Sequence, residues 1–120
     1  MKKFNLVTTK SLDNYGVAFF NSERDYLILH FDGFKKQDAK EIVRFCNVVI
    51  GKVAEQMSEN NCARVIQVGN SYYVTKNFER ENGDTLFFSS HGLKNEITAC
   101  RCAAILETVL NTEDNADDKD

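Results

Sequence analysis

Hydrophobic and polar positions alternate in two stretches of this chain, and each stretch is followed by a segment with helical periodicity. In the first half, period-two alternation predicts strands over 4–8 and 26–31, and a short apolar run predicts one over 16–20. The third strand is apolar on both sides, which favours a central place in a sheet. Leu27, Leu29 and Phe31 alternate along this strand and are expected to share one face.

A long amphipathic helix is predicted after the third strand. Asp38 and Glu41 have the spacing of a capping box, which places the start of the helix at Asp38. The following apolar residues recur every three or four positions: Ala39, Ile42, Val43, Cys46, Val49, Ile50 and Val53. Asn60 and Asn61 are expected to end the helix, because Asn tolerates the left-handed cap conformation.

The second half repeats this order of elements. Strands are predicted over 63–68 and 71–75 around a Gly69–Asn70 turn, and over 84–90 after the hairpin signal Asn82–Gly83. A second helix is predicted over 95–110, with an inward face of Ala99, Cys102, Ala103, Leu106, Val109 and Leu110. We therefore predict the α+β class, with one largely antiparallel sheet covered by two helices.

The two halves show a weak internal βββα duplication. Gly33 matches Gly92 at an offset of 59, and the helices align at an offset of 60, where Ala39 matches Ala99. The repeated order of strands and helix resembles Whirly-type folds in topology, and topology alone implies no function.

Composition and charge predict a single folded domain over 1–110 and a disordered acidic tail over 111–120. The chain is 42% hydrophobic and 28% charged, as in globular proteins. The last ten residues hold five acids and one lysine, which leaves 14 basic and 13 acidic residues in 1–110. Because residues 1–110 are nearly neutral, the sequence argues against a protein that mimics DNA, which requires negative charge over its folded surface.

The predicted location is the cytoplasm. The N-terminal residues lack the apolar core of a signal peptide, and no apolar run approaches the ~20 residues that cross a bilayer. The four cysteines are Cys46, Cys62, Cys100 and Cys102. We interpret them as structural free thiols, with disulfides or a metal site as the alternatives.

No motif in the sequence indicates catalysis, a metal or a cofactor, so we expect a protein that is not an enzyme. His30 and His91 are the only histidines, and the duplication places Asp32 in register with His91. An active site, if one existed, would be sought there. Zinc sites need three or four converging ligands, and the two histidines form no closely spaced pair. Cys100 and Cys102 are close in sequence but project about 200° apart on a helix, so one helix cannot bring both to a single metal. Ser90 precedes His91, but strand neighbours face opposite ways, so adjacency does not make a nucleophile.

The segment 72–80 is the best candidate for a binding surface because it interleaves aromatic and basic residues. Its candidate binding residues are Tyr72, Tyr73, Lys76, Phe78 and Arg80. Bases stack on aromatic rings and Lys or Arg follow phosphates in single-stranded nucleic-acid binders. Period two separates Tyr72, Lys76 and Phe78 from Tyr73, so one of the two faces is instead expected to line the core.

Two functions remain open at this point. The first is a small non-enzymatic protein-binding regulator: an inhibitor, immunity factor or adaptor of bacterial or phage type. The alternative is a single-stranded nucleic-acid-binding protein whose acidic tail regulates it, although phosphate binding usually requires a basic stripe.

Overall fold

The computed structural model describes residues 4–23, 25–53, 62–79 and 83–112, which form six strands and two helices in the predicted order. The elements are β1 (Phe4–Ser11), β2 (Asn14–Asn21), β3 (Tyr26–Phe34), α1 (Lys36–Val53), β4 (Arg64–Val68), β5 (Ser71–Glu79), β6 (Thr85–Ser89) and α2 (Glu96–Leu110). The predicted α+β class is confirmed. Neither helix in this part of the chain has the length and apolar character needed to span a membrane.

The strands form two three-stranded antiparallel sheets, with the orders β1-β2-β3 and β4-β5-β6. The hydrophobic pattern predicts one sheet, so the division into two is a correction. Within each sheet every strand pairs with the next one along the chain, and Gly69, which has a φ of +62°, lies in the turn between β4 and β5. The predicted central position of β3 is also wrong, because β3 is an edge strand of the first sheet.

A β-bulge in β3 changes which side chains face the interior. Phe19 pairs with Leu29 and Phe20 pairs with Leu27, so Ile28 is an extra residue on the β3 side. Ile28 and Leu29 pack against the core, whereas Leu27 is 60% exposed. The bulge therefore separates Leu27 from the face that it was expected to share with Leu29 and Phe31.

The helix starts differ from each other and from the prediction. α1 begins at Lys36, so Asp38 lies in the first turn rather than at the cap. A carboxylate there still interacts favourably with the helix dipole. α2 has Asn95 as its N-cap, and the Asn95 side chain accepts hydrogen bonds from two backbone N–H groups of the first turn. The predicted helix end at Asn60 and Asn61 lies outside the described residues.

One hydrophobic cluster spans both halves of the chain. α1 packs on β1 and β2, α2 packs on β5 and β4, and the two helices contact each other. The buried positions of α1 recur in α2 at an offset of 60. They are Ala39, Ile42, Phe45, Cys46, Val49 and Ile50 in α1, and Ala99, Cys102, Ile105, Leu106, Val109 and Leu110 in α2.

Helix α1 also covers the free edge of β1. The Leu6 N–H donates to Asn47 Oδ1 at 2.9 Å, and Asn47 Nδ2 donates to the Leu6 carbonyl at 2.9 Å. The Asn47 amide therefore satisfies edge backbone groups that no neighbouring strand pairs. An edge covered in this way is protected from pairing with another chain.

Candidate functional site

Strand β5 places most of the predicted binding residues in the interior. Lys76 is 1% exposed, Phe78 is fully buried, and Tyr72 packs against the core. Lys76 and Phe78 are therefore not available to an external ligand in this fold, whereas Tyr72 is partly buried. Tyr73 faces the opposite way, and Arg80 lies outside the described residues.

The inward position of Lys76 has an electrostatic cause. Its Nζ lies 2.8 Å from Glu107 Oε2 on α2, and the ammonium also lies 5.8 Å from the centre of the Phe78 ring. A buried charge is tolerated when it is paired and hydrogen-bonded. β5 extends to Glu79, whereas the sequence pattern predicts that it ends at Thr75.

The second sheet presents an apolar face on the side away from α2. We define the outward face as the four side chains of Ile66, Val68, Tyr73 and Phe87. Ile66 lies opposite Tyr73 in the β4–β5 pairing, and Phe87 lies opposite Asn77 in the β5–β6 pairing. Ile66 is 44% exposed, and Val68 and Phe87 are each 61% exposed. Side chains of this kind are usually buried. Ile66, Val68 and Tyr73 are neighbours at one end of this face, whereas Phe87 lies towards its other end, opposite Asn77. The neighbouring group of three indicates a contact surface.

A second surface feature lies where the strands lead into the helices. We define the loop cleft as the cavity between the segments 33–35 and 92–94 and the first turns of α1 and α2. Its volume is about 1010 Å³. Six basic and two acidic side chains line it: Lys35, Lys36, Lys40, Arg44, Lys94, Arg101, Asp38 and Glu41.

Two reciprocal contacts hold the loop cleft together. Glu41 on α1 reaches the other half and accepts a hydrogen bond from the His91 backbone N–H. Arg101 on α2 reaches back, donates to the Asp32 carbonyl at 2.6 Å and lies 4.0 Å from the centre of the Phe34 ring. Residues 41 and 101 are separated by 60 positions, which is the offset between the two helices. The same helix position in each half therefore contacts the loop of the other half.

The Glu41 carboxylate is held in its ionised form by its neighbours. Arg44 donates to both of its oxygens, at 2.9 Å from Nε and 2.6 Å from Nη2. Burial by itself would raise the pKa of Glu41, but hydrogen bonds from Arg44 and the His91 backbone outweigh burial and lower it. The same pairing raises the pKa of Arg44. This ion pair leaves the two groups with no net charge.

The residues considered for acid–base, nucleophilic or metal chemistry have structural contacts instead. His30 Nε2 lies 3.1 Å from Thr9 Oγ1, and Asp32 contributes its backbone carbonyl to Arg101. The Ser90 hydroxyl donates to the His91 carbonyl and accepts from the Val74 N–H, which ties it to the backbone. Within the described residues, no three His, Cys, Asp or Glu side chains converge as a metal site would require.

Two of the cysteines meet in the core. Cys46 and Cys102 are buried on the two helices, whereas Cys62 and Cys100 are exposed. A hydrogen bond with Cys102, together with burial, raises the pKa of the Cys46 thiol well above its usual range. A thiol in this environment stays protonated and is a poor nucleophile.

The loop cleft is absent from the predictions made from the sequence, although the sequence carries a signal for it. Gly33, Phe34 and Lys35 are repeated as Gly92, Leu93 and Lys94 at the offset of 59, and all six residues line the cleft. Comparison with protein-family models, with curated proteins and with solved structures finds no match for this chain.

Proposed function

We propose that this protein is a small non-enzymatic regulator that binds a partner protein on the outward face of its second sheet. The observation that carries this proposal is the exposure of Ile66 and Val68 beside Tyr73, with Phe87 exposed further along the same sheet surface. An inhibitor, immunity factor or adaptor requires such a docking surface and no catalytic group.

The chemistry of this face favours a protein over a nucleic acid. The register places one basic and one acidic side chain, Arg64 and Glu79, on the same side of the sheet. Neutralising phosphates requires an excess of positive charge, which this face does not offer. Ile66 and Val68 also have no ring on which a base could stack.

The expected partner presents an apolar patch with a polar rim. Ser71 lies opposite Val68, and Ser89 lies opposite Thr75 on the same side of the sheet. Polar side chains therefore adjoin the apolar group, as they do at interfaces with an apolar centre. Tyr73 is a strong candidate for an anchor because tyrosine is enriched among the residues that dominate binding energy.

The first test compares the full chain with Val68→Asp and Leu12→Asp. Both changes place a carboxylate at an exposed apolar position, but Leu12 is 93% exposed in the turn between β1 and β2, away from the outward face. A partner captured by the full chain is purified and titrated directly. We expect Val68→Asp to weaken binding at least tenfold and Leu12→Asp to leave it unchanged, with both variants retaining the wild-type circular dichroism spectrum.

Tyr73→Ala provides a second variant that introduces no charge. We expect it to reduce partner affinity while it lowers stability only slightly, because Tyr73 is half-buried on the outer side of the sheet. Equal affinity of the full chain, Val68→Asp and Tyr73→Ala would overturn the proposed surface. Saturable binding of single-stranded DNA or RNA that these variants abolish would replace it with the nucleic-acid alternative.

A further inference from the structure

We propose that the loop cleft is a binding site for a small polyphosphorylated ligand, meaning a molecule that carries two or more linked phosphate groups. The primary observation is an excess of positive charge in a cavity. The Arg44–Glu41 pair cancels within the cleft, so five basic side chains face a single further acid, Asp38. A net charge of this size and sign at one place attracts anions.

Four of these basic groups have no partner of their own. Within the residues that the structure describes, the side chains of Lys35, Lys36, Lys40 and Lys94 make no hydrogen bond or ion pair. Arg101, in contrast, already donates to the backbone of the β3–α1 junction. The four lysines are therefore the groups that can contact an anion in the cleft without giving up another interaction.

The lysines lie on both sides of the cleft. Lys35 immediately precedes α1, Lys36 and Lys40 lie near its start, and Lys94 belongs to the loop before α2. A single phosphate can contact one side or the other, whereas linked phosphates can contact both together. This arrangement is the reason for assigning a polyphosphate and not orthophosphate.

The backbone adds to the attraction in the same place. α1 and α2 both begin at the cleft, so the positive ends of two helix dipoles point towards it. Asn95 uses two of the first-turn N–H groups of α2. These dipoles supplement the lysines and would not define a site without them.

The size and rigidity of the cleft suit a small ligand. Its volume of about 1010 Å³ lies at the upper end of the range of small-molecule sites, roughly 300–1,000 Å³. The basic side chains converge on one cavity and do not form a track along the surface, as a nucleic-acid strand would require. The Glu41 and Arg101 contacts fix the two loops before any ligand binds, which reduces the entropy lost on binding.

The test is isothermal titration calorimetry of the full chain with inorganic tripolyphosphate, ATP and orthophosphate at low ionic strength. The variant Lys36→Gln/Lys94→Gln removes one charge from each side of the cleft. The matched control is Lys10→Gln, which removes an exposed charge on β1 outside the cleft. Thermal unfolding of each variant verifies that the fold is retained.

We expect saturable binding of tripolyphosphate that weakens with salt and exceeds the affinity for orthophosphate. Loss of one charged hydrogen bond weakens binding by about tenfold, so the double variant should weaken it by about 100-fold and Lys10→Gln should leave it unchanged. Tighter binding of ATP than of tripolyphosphate would assign a nucleotide, and equal binding would assign the phosphate chain alone.

Three results would overturn the proposal. The first is no saturable binding of tripolyphosphate or ATP by the wild-type chain. The second is equal binding by the wild type and Lys36→Gln/Lys94→Gln, which would place the anion elsewhere. The third is tighter binding of single-stranded DNA than of either small ligand, with the same loss in the double variant, which would assign the cleft to a nucleic-acid strand.

Discussion

The buried ion pair between Lys76 and Glu107 allows a quantitative prediction about stability. The Lys76 side chain has no exposed area, whereas Glu107 is 23% exposed. Replacing Glu107 with Ala removes the carboxylate from beside a buried ammonium. Breaking a buried pair in this way typically costs about 3–5 kcal/mol. Because water reaches the Glu107 end, we expect the lower limit, about 3 kcal/mol of unfolding free energy.

Replacing Lys76 with Met has a smaller expected cost. Methionine fills a similar volume beside Phe78, and the Glu107 carboxylate that remains can be hydrated at its exposed edge. Removing the buried charge itself should therefore cost no more than about 1 kcal/mol. In the double variant the loss of Glu107 should add little further, which gives a coupling energy of about 3 kcal/mol.

Urea unfolding followed by circular dichroism measures these differences in the wild type, the two single variants and the double variant. The expected order of stability is wild type, Lys76→Met, the double variant and then Glu107→Ala. A Glu107→Ala variant within about 1 kcal/mol of wild type, or one more stable than Lys76→Met, would show that the pair does not determine the inward position of Lys76.

Three further predictions concern other parts of the chain. Glu41→Gln should have a lower free energy of unfolding than wild type at about pH 7, and this difference should become smaller at about pH 3. The reason is that the lowered pKa of Glu41 gives the wild type stability that is lost as pH falls. A difference in urea unfolding that stays constant between the two pH values would contradict this. Gly51→Ala should raise stability by about 0.5–1 kcal/mol, since Gly51 is exposed on α1 with open space at its Cβ position; a lower melting temperature would disagree. Deleting 113–120 should leave the melting temperature unchanged, because these residues contain no large apolar side chain, and a fall of several degrees would show that they contribute to the fold.

The local elements were predictable because they depend on short-range patterns. Helical periodicity located the buried face of α2, where only Ile105 was missed and Ala103 is partly buried. The Gly69–Asn70 turn followed from its residue types. Features set by contacts distant in sequence were not predictable. The bulge at Ile28 depends on packing between β3 and the core, and the division into two sheets depends on how the halves pack.

The candidate binding surfaces were likewise predictable only as far as they depend on short-range patterns. Alternation along β5 correctly separated Tyr73 from Lys76 and Phe78, but it could not identify which side faces α2. The side of β5 that faces α2 depends on the ion pair between Lys76 and Glu107, and Glu107 lies 31 positions after Lys76 in the chain. The loop cleft, in contrast, was accessible from the sequence through the repeated Gly-apolar-Lys segments before the two helices.

Each sheet is built from strands that follow one another along the chain, and this order has a consequence for folding kinetics. All strand pairs form between segments adjacent in the chain, so the loops that must close are short. Contacts between distant segments arise mainly where α1 and α2 dock and where Glu41 and Arg101 cross between the halves. We therefore expect the two meanders to form early and the helices to dock late, which makes assembly of the loop cleft one of the last events on the folding pathway.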